Sequence, residues 1–134
     1  MNRKLARVHE IALEVRSWCE KEADKAGRPD SLMGYCAIAS AELFRRLEKV
    51  GIFAEIHMQN GGWGSHVYLV VDDHVVDVTA TQFSQFSGTP VVIIHYKEAE
   101  QHDFYQSNEI FGTPKDLRKF QAKTKWPNNQ IAKA

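Results

Sequence analysis

The feature that most constrains the fold of this chain is a change in the spacing of its apolar residues near residue 51. Up to residue 50 the apolar residues recur every three or four positions, which is the spacing of one helix face. From residue 52 they form short runs that are rich in β-branched and aromatic side chains, as is typical of strands. Helices followed by consecutive strands predict an α+β domain, with the N-terminal helices packed on an antiparallel sheet.

The same spacing gives the bounds of the predicted elements. Two helices are predicted over residues 3–26 and 34–50, and Gly51 is expected to end the second one. Only Asp72 and Asp73 separate the second strand from the third, which predicts a tight hairpin. The four predicted strands are Ile52–Met58, Ser65–Val71, His74–Thr79 and Val91–Tyr96.

A basic C-terminal helix is predicted to start at Thr113-Pro114. Threonine is a good N-cap, and proline is tolerated in the first helical turn. The side chains expected to face inward are Leu117, Phe120 and Ala122. A chain of 134 residues suits one hydrophobic core, so we predict a single domain over residues 1–126 and a frayed tail over 127–134.

The formal net charge is zero, but the charges are distributed unevenly. Residues 115–134 carry a net charge of +5, and the rest of the chain carries −5. A basic segment of this kind can bind nucleic acid or an acidic partner, but docking on its own acidic body or simple solvation is the favoured interpretation. Neither nucleic acid nor a membrane is therefore expected as a partner. No apolar run resembles a secretory signal or a membrane span, so the cytoplasm is the predicted compartment.

The two cysteines are expected to be free thiols with different roles. Cys19 lies on the apolar stripe of the first helix, where a small buried thiol fills space. Cys36 lies in the first turn of the second predicted helix, where unpaired N–H groups and positive potential favour a thiolate. From its position alone, a second buried cysteine on an apolar helix face is the favoured interpretation, so the presence of partners for the thiol decides between the two.

Two strand residues are predicted to lie together and to provide such partners. A two-residue turn between the second and third strands makes His66 and Asp77 diagonal neighbours on one sheet face, about 7–8 Å apart at the backbone. A buried carboxylate is costly without a partner, and His66 is within reach of Asp77. A thiol nucleophile, a histidine base and a carboxylate that orients the histidine are the groups that acyl transfer requires.

Three short motifs contain these residues in one order: Gly34-Tyr35-Cys36, Ser65-His66-Val67-Tyr68 and Asp77-Val78-Thr79. Over residues 34–83 the chain resembles the transglutaminase-like branch of the papain-like cysteine enzymes. The resemblance implies a papain-like core with Cys36 as nucleophile, His66 as general base and acid, and Asp77 as the orienting carboxylate. It also implies a cysteine-dependent amide hydrolase or acyltransferase of the deamidase, protease or transglutaminase type. Such an enzyme forms a thioester with glutamine side chains or peptide bonds of a protein or peptide substrate, without a cofactor.

The sequence departs from the family pattern around the oxyanion site. Tyr68 stands where tryptophan is common, and Ala37 rather than an aromatic residue follows the cysteine. The Cys36 backbone N–H is one expected oxyanion donor. The side-chain candidates for the oxyanion site or for substrate binding are Tyr35, Trp63 and Gln82.

The sequence does not indicate a metal site or a phosphate-binding loop. The histidines and cysteines match no zinc-ligand spacing, so no metal is expected. Trp63 belongs to a glycine-rich loop predicted over residues 60–64, which leads into a strand and is therefore no phosphate-binding loop. The alternative to an enzyme is a non-catalytic protein-binding module in which the triad is vestigial.

Overall fold

A five-stranded antiparallel sheet forms the centre of the protein. The computed structural model describes residues 2–27, 35–61 and 64–124. The strands are β1 (Glu55–Gly61), β2 (Gly64–Val71), β3 (His74–Asp77), β4 (Val92–His95) and β5 (Glu109–Phe111), and the helices are α1 (Arg3–Lys25), α2 (Cys36–Lys49), α3 (Tyr96–Ala99) and α4 (Pro114–Thr124). The order in the sheet is β4-β3-β2-β1-β5, and every neighbouring pair is antiparallel. The predicted α+β class is confirmed.

Helices α1 and α2 pack on one face of the sheet. Their helical repeat of apolar residues forms a continuous buried cluster with alternate residues of the strands. Cys19 is buried in this cluster, as predicted. Representative members of the cluster are Val8, Val15 and Cys19 of α1, Leu43 and Leu47 of α2, and Met58, Val67 and Val76 of the sheet.

The opposite face of the sheet is covered by a cluster that we call the aromatic layer. It is formed by the sequence between β3 and β5, which contains α3 and three short 3₁₀ turns at Ala80–Gln82, Ser84–Phe86 and Asp103–Tyr105. Its buried members are Tyr68, Val75, Ala99, Phe104 and Tyr105, with Val70, Phe83, Phe86 and Ile94 partly buried against them. Both faces of the sheet are therefore covered.

The hairpin between β2 and β3 has the predicted register. Val71 pairs with His74 and Val70 pairs with Val75. The two turn residues, Asp72 and Asp73, have φ of 47° and 62°, which is the left-handed conformation of a type I′ turn. Aspartate tolerates this conformation better than most residues do.

The first strand begins later than the sequence predicted. The predicted bounds were Ile52–Met58, whereas β1 runs over Glu55–Gly61. Gly51 ends α2 with a φ of 77°, and the Ile52 N–H donates to the Leu47 carbonyl at 2.9 Å, so the next residues carry the chain from the helix to the sheet. The loop prediction over residues 60–64 was wrong at both ends, because Asn60 and Gly61 lie in β1 and Gly64 lies in β2.

The other strand bounds differ less from the prediction. β2 starts one residue earlier than predicted, β3 ends two residues earlier, and β4 is one residue shorter at each end. Residue 96, predicted to lie in a strand, begins α3. The short edge strand β5, which pairs with β1, was not predicted.

The C-terminal helix begins as predicted. The Thr113 hydroxyl oxygen accepts from the Asp116 backbone N–H at 3.2 Å and donates to the Asp116 carboxylate at 3.0 Å. This reciprocal arrangement caps the first turn of α4. The predicted tail over residues 127–134 lies outside the described residues.

The inward face of α4 differs from the prediction at one position. Leu117 is buried and Phe120 packs against Phe111, as expected for an amphipathic helix. Ala122 is exposed, because the position one turn after Leu117 is Gln121, which is buried instead. Among the described residues no ion pair joins α4 to the acidic body.

Within the described ranges, no helix combines the length and apolarity that crossing a membrane requires.

The type I′ turn provides a test of the fold. We expect Asp73→Gly to stabilise the protein by about 0.5–1 kcal/mol, because glycine adopts a positive φ without steric cost. Asp73→Ala is expected to destabilise it by about 1 kcal/mol, since a β-carbon is disfavoured in this conformation. Urea unfolding of the three proteins measures both changes, and the same sign for both variants would contradict the turn geometry.

Candidate active site

His66 and Asp77, which the sequence predicted to lie together, are joined by a short hydrogen bond. The His66 Nε2 atom lies 2.6 Å from Asp77 Oδ2. His66 is at the start of β2 and Asp77 is the last residue of β3, so the hairpin register brings them to the same end of the sheet. Both side chains are buried, with 0% of His66 and 2% of Asp77 exposed.

The Asp77 carboxylate accepts four hydrogen bonds. Oδ2 accepts from His66 and from the Tyr105 hydroxyl, at 2.6 and 2.7 Å. Oδ1 accepts from the Thr79 backbone N–H at 2.9 Å and from the Thr79 hydroxyl at 3.3 Å. Each oxygen therefore has two donors, which satisfies a carboxylate that burial removes from water.

Cys36 is the first residue of α2, as the sequence predicted for a thiol at a helix N-terminus. The residue is 3% exposed, and its thiol is close enough to His66 to contribute to the raised pKa of that ring. Because His66 Nε2 is engaged by Asp77, Nδ1 is the ring nitrogen that can exchange a proton with Cys36. The structure thus brings Cys36, His66 and Asp77 into one connected group.

The small residues that follow Cys36 allow α2 to lie close to the sheet. Ala37 and Ala41 are buried, and the Ser40 hydroxyl donates to the Val67 carbonyl at 3.2 Å. Ser40 is one helical turn after Cys36, and Val67 is the neighbour of His66 in β2. This bond therefore fixes the helix end that carries the thiol against the strand that carries the imidazole.

Gln82 lies beside His66 Nδ1, the ring nitrogen that does not bind Asp77. Its side-chain Nε2 is 3.4 Å from His66 Nδ1 and donates to the Thr79 carbonyl at 3.1 Å. The bond to Thr79 fixes which end of the amide carries the hydrogens. Of the three predicted oxyanion or substrate-binding side chains, Gln82 is the one that the described contacts place at His66.

The other two candidates have different positions. Tyr35 precedes α2 as its N-cap and packs partly buried against the main core. Trp63 lies outside the described residues.

The electrostatic environment favours a charged His66–Asp77 pair. Burial alone lowers the pKa of His66, but the Asp77 charge and the hydrogen bonds to Asp77 and Cys36 outweigh it and raise the pKa to about 10. Burial alone raises the pKa of Asp77, but the His66 charge and hydrogen bonds from His66, Thr79 and Tyr105 hold it below its ordinary value. The pair is therefore imidazolium and carboxylate at neutral pH.

Cys19 has a contrasting environment. Burial raises the pKa of its thiol to about 12, and the nearby Arg16 guanidinium offsets only part of this effect. Cys19 is a protonated core thiol at neutral pH, as its place on the α1 stripe predicted.

Two residues that hold the site were not identified from the sequence. Tyr105 reaches Asp77 from the aromatic layer. The Arg16 guanidinium of α1 donates to the Val78 carbonyl at 3.0 Å and to the Thr81 hydroxyl at 2.8 Å, and so fixes the segment between Asp77 and Gln82. The amphipathic pattern places Arg16 beside the buried stripe of α1, but no local signal links either residue to the site.

A cavity of about 490 Å³ lies on the sheet face that the aromatic layer covers. Cys36 is not among the residues that line it. Its lining includes Glu55, Tyr68, Tyr96 and Tyr105. Among the described residues no group of three or more histidine, cysteine or acidic side chains is arranged to hold a metal ion.

Comparisons with known proteins found no match to a family model, to a curated protein or to a solved structure.

The buried ion pair predicts how stability depends on pH. The raised pKa of His66 stabilises the fold fully below its ordinary value of 6.5, and this stabilisation is lost as the pH rises toward about 10. The lowered pKa of Asp77 stabilises the fold above its ordinary value of 3.8, and this is lost as the pH falls below that value. Both pKa shifts arise from the same His66–Asp77 ion pair. This pair therefore stabilises the fold most between pH 3.8 and pH 6.5.

We expect Asp77→Asn to cost about 3–5 kcal/mol near pH 6 and much less near pH 10, because the partner it removes is a charge. Urea unfolding of both proteins across this range measures the difference. Asp103→Asn, at an exposed position, is the matched control and is expected to be neutral. A cost of Asp77→Asn that is independent of pH would contradict the ion pair.

Proposed function

We propose that this protein is a cysteine-dependent amide hydrolase or acyltransferase of the transglutaminase-like, papain-like type. The observation that carries the proposal is the buried His66–Asp77 hydrogen bond of 2.6 Å, with Cys36 at the start of α2 and close enough to His66 to contribute to its raised pKa. Thiol, imidazole and carboxylate in this order are the parts of a nucleophilic triad.

The arrangement of elements supports a papain-like core. Cys36 begins a helix that packs on an antiparallel sheet, His66 lies on a central strand and Asp77 on the next. This is the same order of elements and residues that underlies the resemblance to transglutaminase-like enzymes. This order of elements is what supports the proposal for all three residues.

In the first half of the proposed reaction, Cys36 forms a thioester. In the proposed step the sulfur of Cys36 attacks as a thiolate while His66 is an imidazolium. The sulfur attacks the carbonyl carbon of a glutamine side chain or a peptide bond, and an S–C bond forms. His66 Nδ1 then gives its proton to the departing nitrogen, the C–N bond breaks, and ammonia or an amine leaves.

In the second half, the thioester is resolved. Water or a primary amine attacks the thioester carbon while the now neutral His66 takes its proton. The C–S bond breaks, and the thiolate and imidazolium are restored. Water gives deamidation or proteolysis and an amine gives crosslinking, so these activities share the first half.

Gln82 is the side chain that we propose for the oxyanion site, together with the Cys36 backbone N–H. The bond to the Thr79 carbonyl uses one hydrogen of the Gln82 amide and leaves the second beside His66 Nδ1. When Nδ1 is protonated it cannot accept that hydrogen, which is then available to a developing negative oxygen.

A protein-binding module is the second candidate, and one observation favours it. Cys36, His66 and Asp77 are all at most 3% exposed, so a substrate does not reach the sulfur in this conformation. In that case the triad is a buried polar network that specifies the core. The reactivity of Cys36 distinguishes the two candidates.

For an enzyme, we expect iodoacetamide at neutral pH to alkylate Cys36 faster than Cys19 and at least as fast as an unstructured cysteine peptide. Peptide mass spectrometry resolves the two sites, so Cys19 serves as an internal control with a protonated thiol. His66→Ala is expected to slow alkylation of Cys36 at least tenfold, because it removes the imidazolium.

Slow alkylation of Cys36 in the folded wild type would favour the binding module. A positive result leads to assays for ammonia release from a glutamine-rich protein, incorporation of a fluorescent primary amine, and peptide hydrolysis. Cys36→Ala is the inactive control in each assay.

Replacing Gln82 tests the oxyanion role. In whichever of these assays shows Cys36-dependent turnover, we expect Gln82→Ala to lower kcat by about 10²–10³-fold. Alkylation of Cys36 is expected to change little, because iodide leaves without an oxyanion forming. Equal losses in turnover and alkylation would instead assign Gln82 to the support of His66.

A further inference from the structure

Tyr105 contacts the proposed triad from a part of the chain that the three motifs do not include. Its hydroxyl donates to Asp77 Oδ2 at 2.7 Å, the oxygen that also accepts from His66 Nε2 at 2.6 Å. The other carboxylate oxygen is taken by Thr79. Tyr105 and His66 therefore share one acceptor atom.

We infer that Tyr105 is a positioning residue that acts through Asp77 and limits how strongly the carboxylate holds the His66 imidazolium. The inference rests on the proposed function, because it concerns the residue that would transfer the proton. A donor on the same oxygen draws electron density away from the bond to His66. Without it, Oδ2 would be a stronger acceptor for His66 alone.

The environment of Tyr105 keeps its hydroxyl a donor. Burial and the nearby Asp77 charge raise the pKa of Tyr105 far above its ordinary value, so the phenol stays protonated. The Tyr68 hydroxyl donates to the Tyr105 carbonyl at 2.9 Å, which fixes the backbone of this residue. The ring is 6% exposed and packs edge-on against Tyr68, at 4.9 Å between centroids.

Tyr105 is the donor on Oδ2 that can be removed without changing His66. Thr79, two residues after Asp77, binds the other oxygen, Oδ1, through its backbone N–H and its hydroxyl. Val92, opposite Asp77 in β4, is apolar. Within residues 2–27, 35–61 and 64–124, the titratable and charged groups near the pair are Cys36 from α2, Tyr68 from β2, Tyr105 from the aromatic layer and Arg16 from α1, the last bound to the Val78 carbonyl.

This limit matters for catalysis because His66 must release a proton as well as hold one. A carboxylate that holds the imidazolium too firmly slows transfer from Nδ1 to the departing nitrogen. Alkylation by iodoacetamide needs no such transfer. Loss of the Tyr105 hydroxyl should therefore separate the two reactions.

The test is Tyr105→Phe, which keeps the ring and removes the hydroxyl. By ¹⁵N NMR of the imidazole, we expect the midpoint of the His66 titration to rise by about one unit, and the Nε2-bound proton to move downfield. Cys36 alkylation at pH 7 is expected to stay within about twofold of wild type, while kcat for amide cleavage falls about tenfold.

Tyr68→Phe is the matched control. It removes a second buried hydroxyl from the same layer, one that binds a carbonyl rather than Asp77. We expect it to lower stability and to leave the His66 midpoint within about 0.3 unit of wild type, since it leaves the donors on the carboxylate in place.

A second variant keeps the test independent of packing. Site-specific 3-fluorotyrosine at position 105 strengthens the donor, so the His66 midpoint should move in the opposite direction, downward. An unchanged midpoint in both variants, or a fall with Tyr105→Phe, would overturn the inference. Slow alkylation of Cys36 in wild type would reject the proposed function separately, because the His66 titration does not depend on it.

Discussion

The buried charge on Asp77 determines how three separate parts of the chain are arranged. A carboxylate without water is stable only when several donors surround it. Here the donors come from β2, from the chain just after β3 and from the aromatic layer. Satisfying one side chain therefore fixes the hairpin register, the path after β3 and the position of the layer that covers the sheet. The same set of bonds aligns His66, so the requirement of the fold and that of the proposed chemistry are met by one arrangement.

Much of this arrangement was predictable because it depends on local rules. A two-residue turn leaves one register for the hairpin, and that register places His66 and Asp77 on one face. The helical stripe of α1 predicted Cys19 in the core, and Thr113 with Asp116 predicted the start of α4. The cap and the turn each depend on residues close together in the sequence, so the sequence contains all the information they need.

The parts that were missed depend on contacts between distant residues. Tyr105 is 28 positions from the carboxylate that it contacts. Tyr105 lies in a polar stretch with short 3₁₀ turns. The apolar residues of this stretch have no regular spacing that would indicate a buried layer. The strand β5 has three residues, too few to show alternation, and it exists because β1 offers it an edge. Asn60-Gly61 has the composition of a turn, but pairing with β2 extends the strand through it, so tertiary context overrides the local preference.

Burial of Cys36, His66 and Asp77 matters for both candidate functions, the cysteine-dependent enzyme and the protein-binding module. A dry site strengthens the attraction between imidazolium and carboxylate, and the same dryness requires every polar group to have a partner. A purely structural network is best served by donors that hold Asp77 as firmly as possible. A catalytic network needs a histidine that can release its proton. A second donor on the same carboxylate oxygen meets this need, although it weakens the ion pair. The two donors on Oδ2, Tyr105 and His66, therefore meet both needs, because they satisfy the buried carboxylate and they divide its hold between a phenol and an imidazolium.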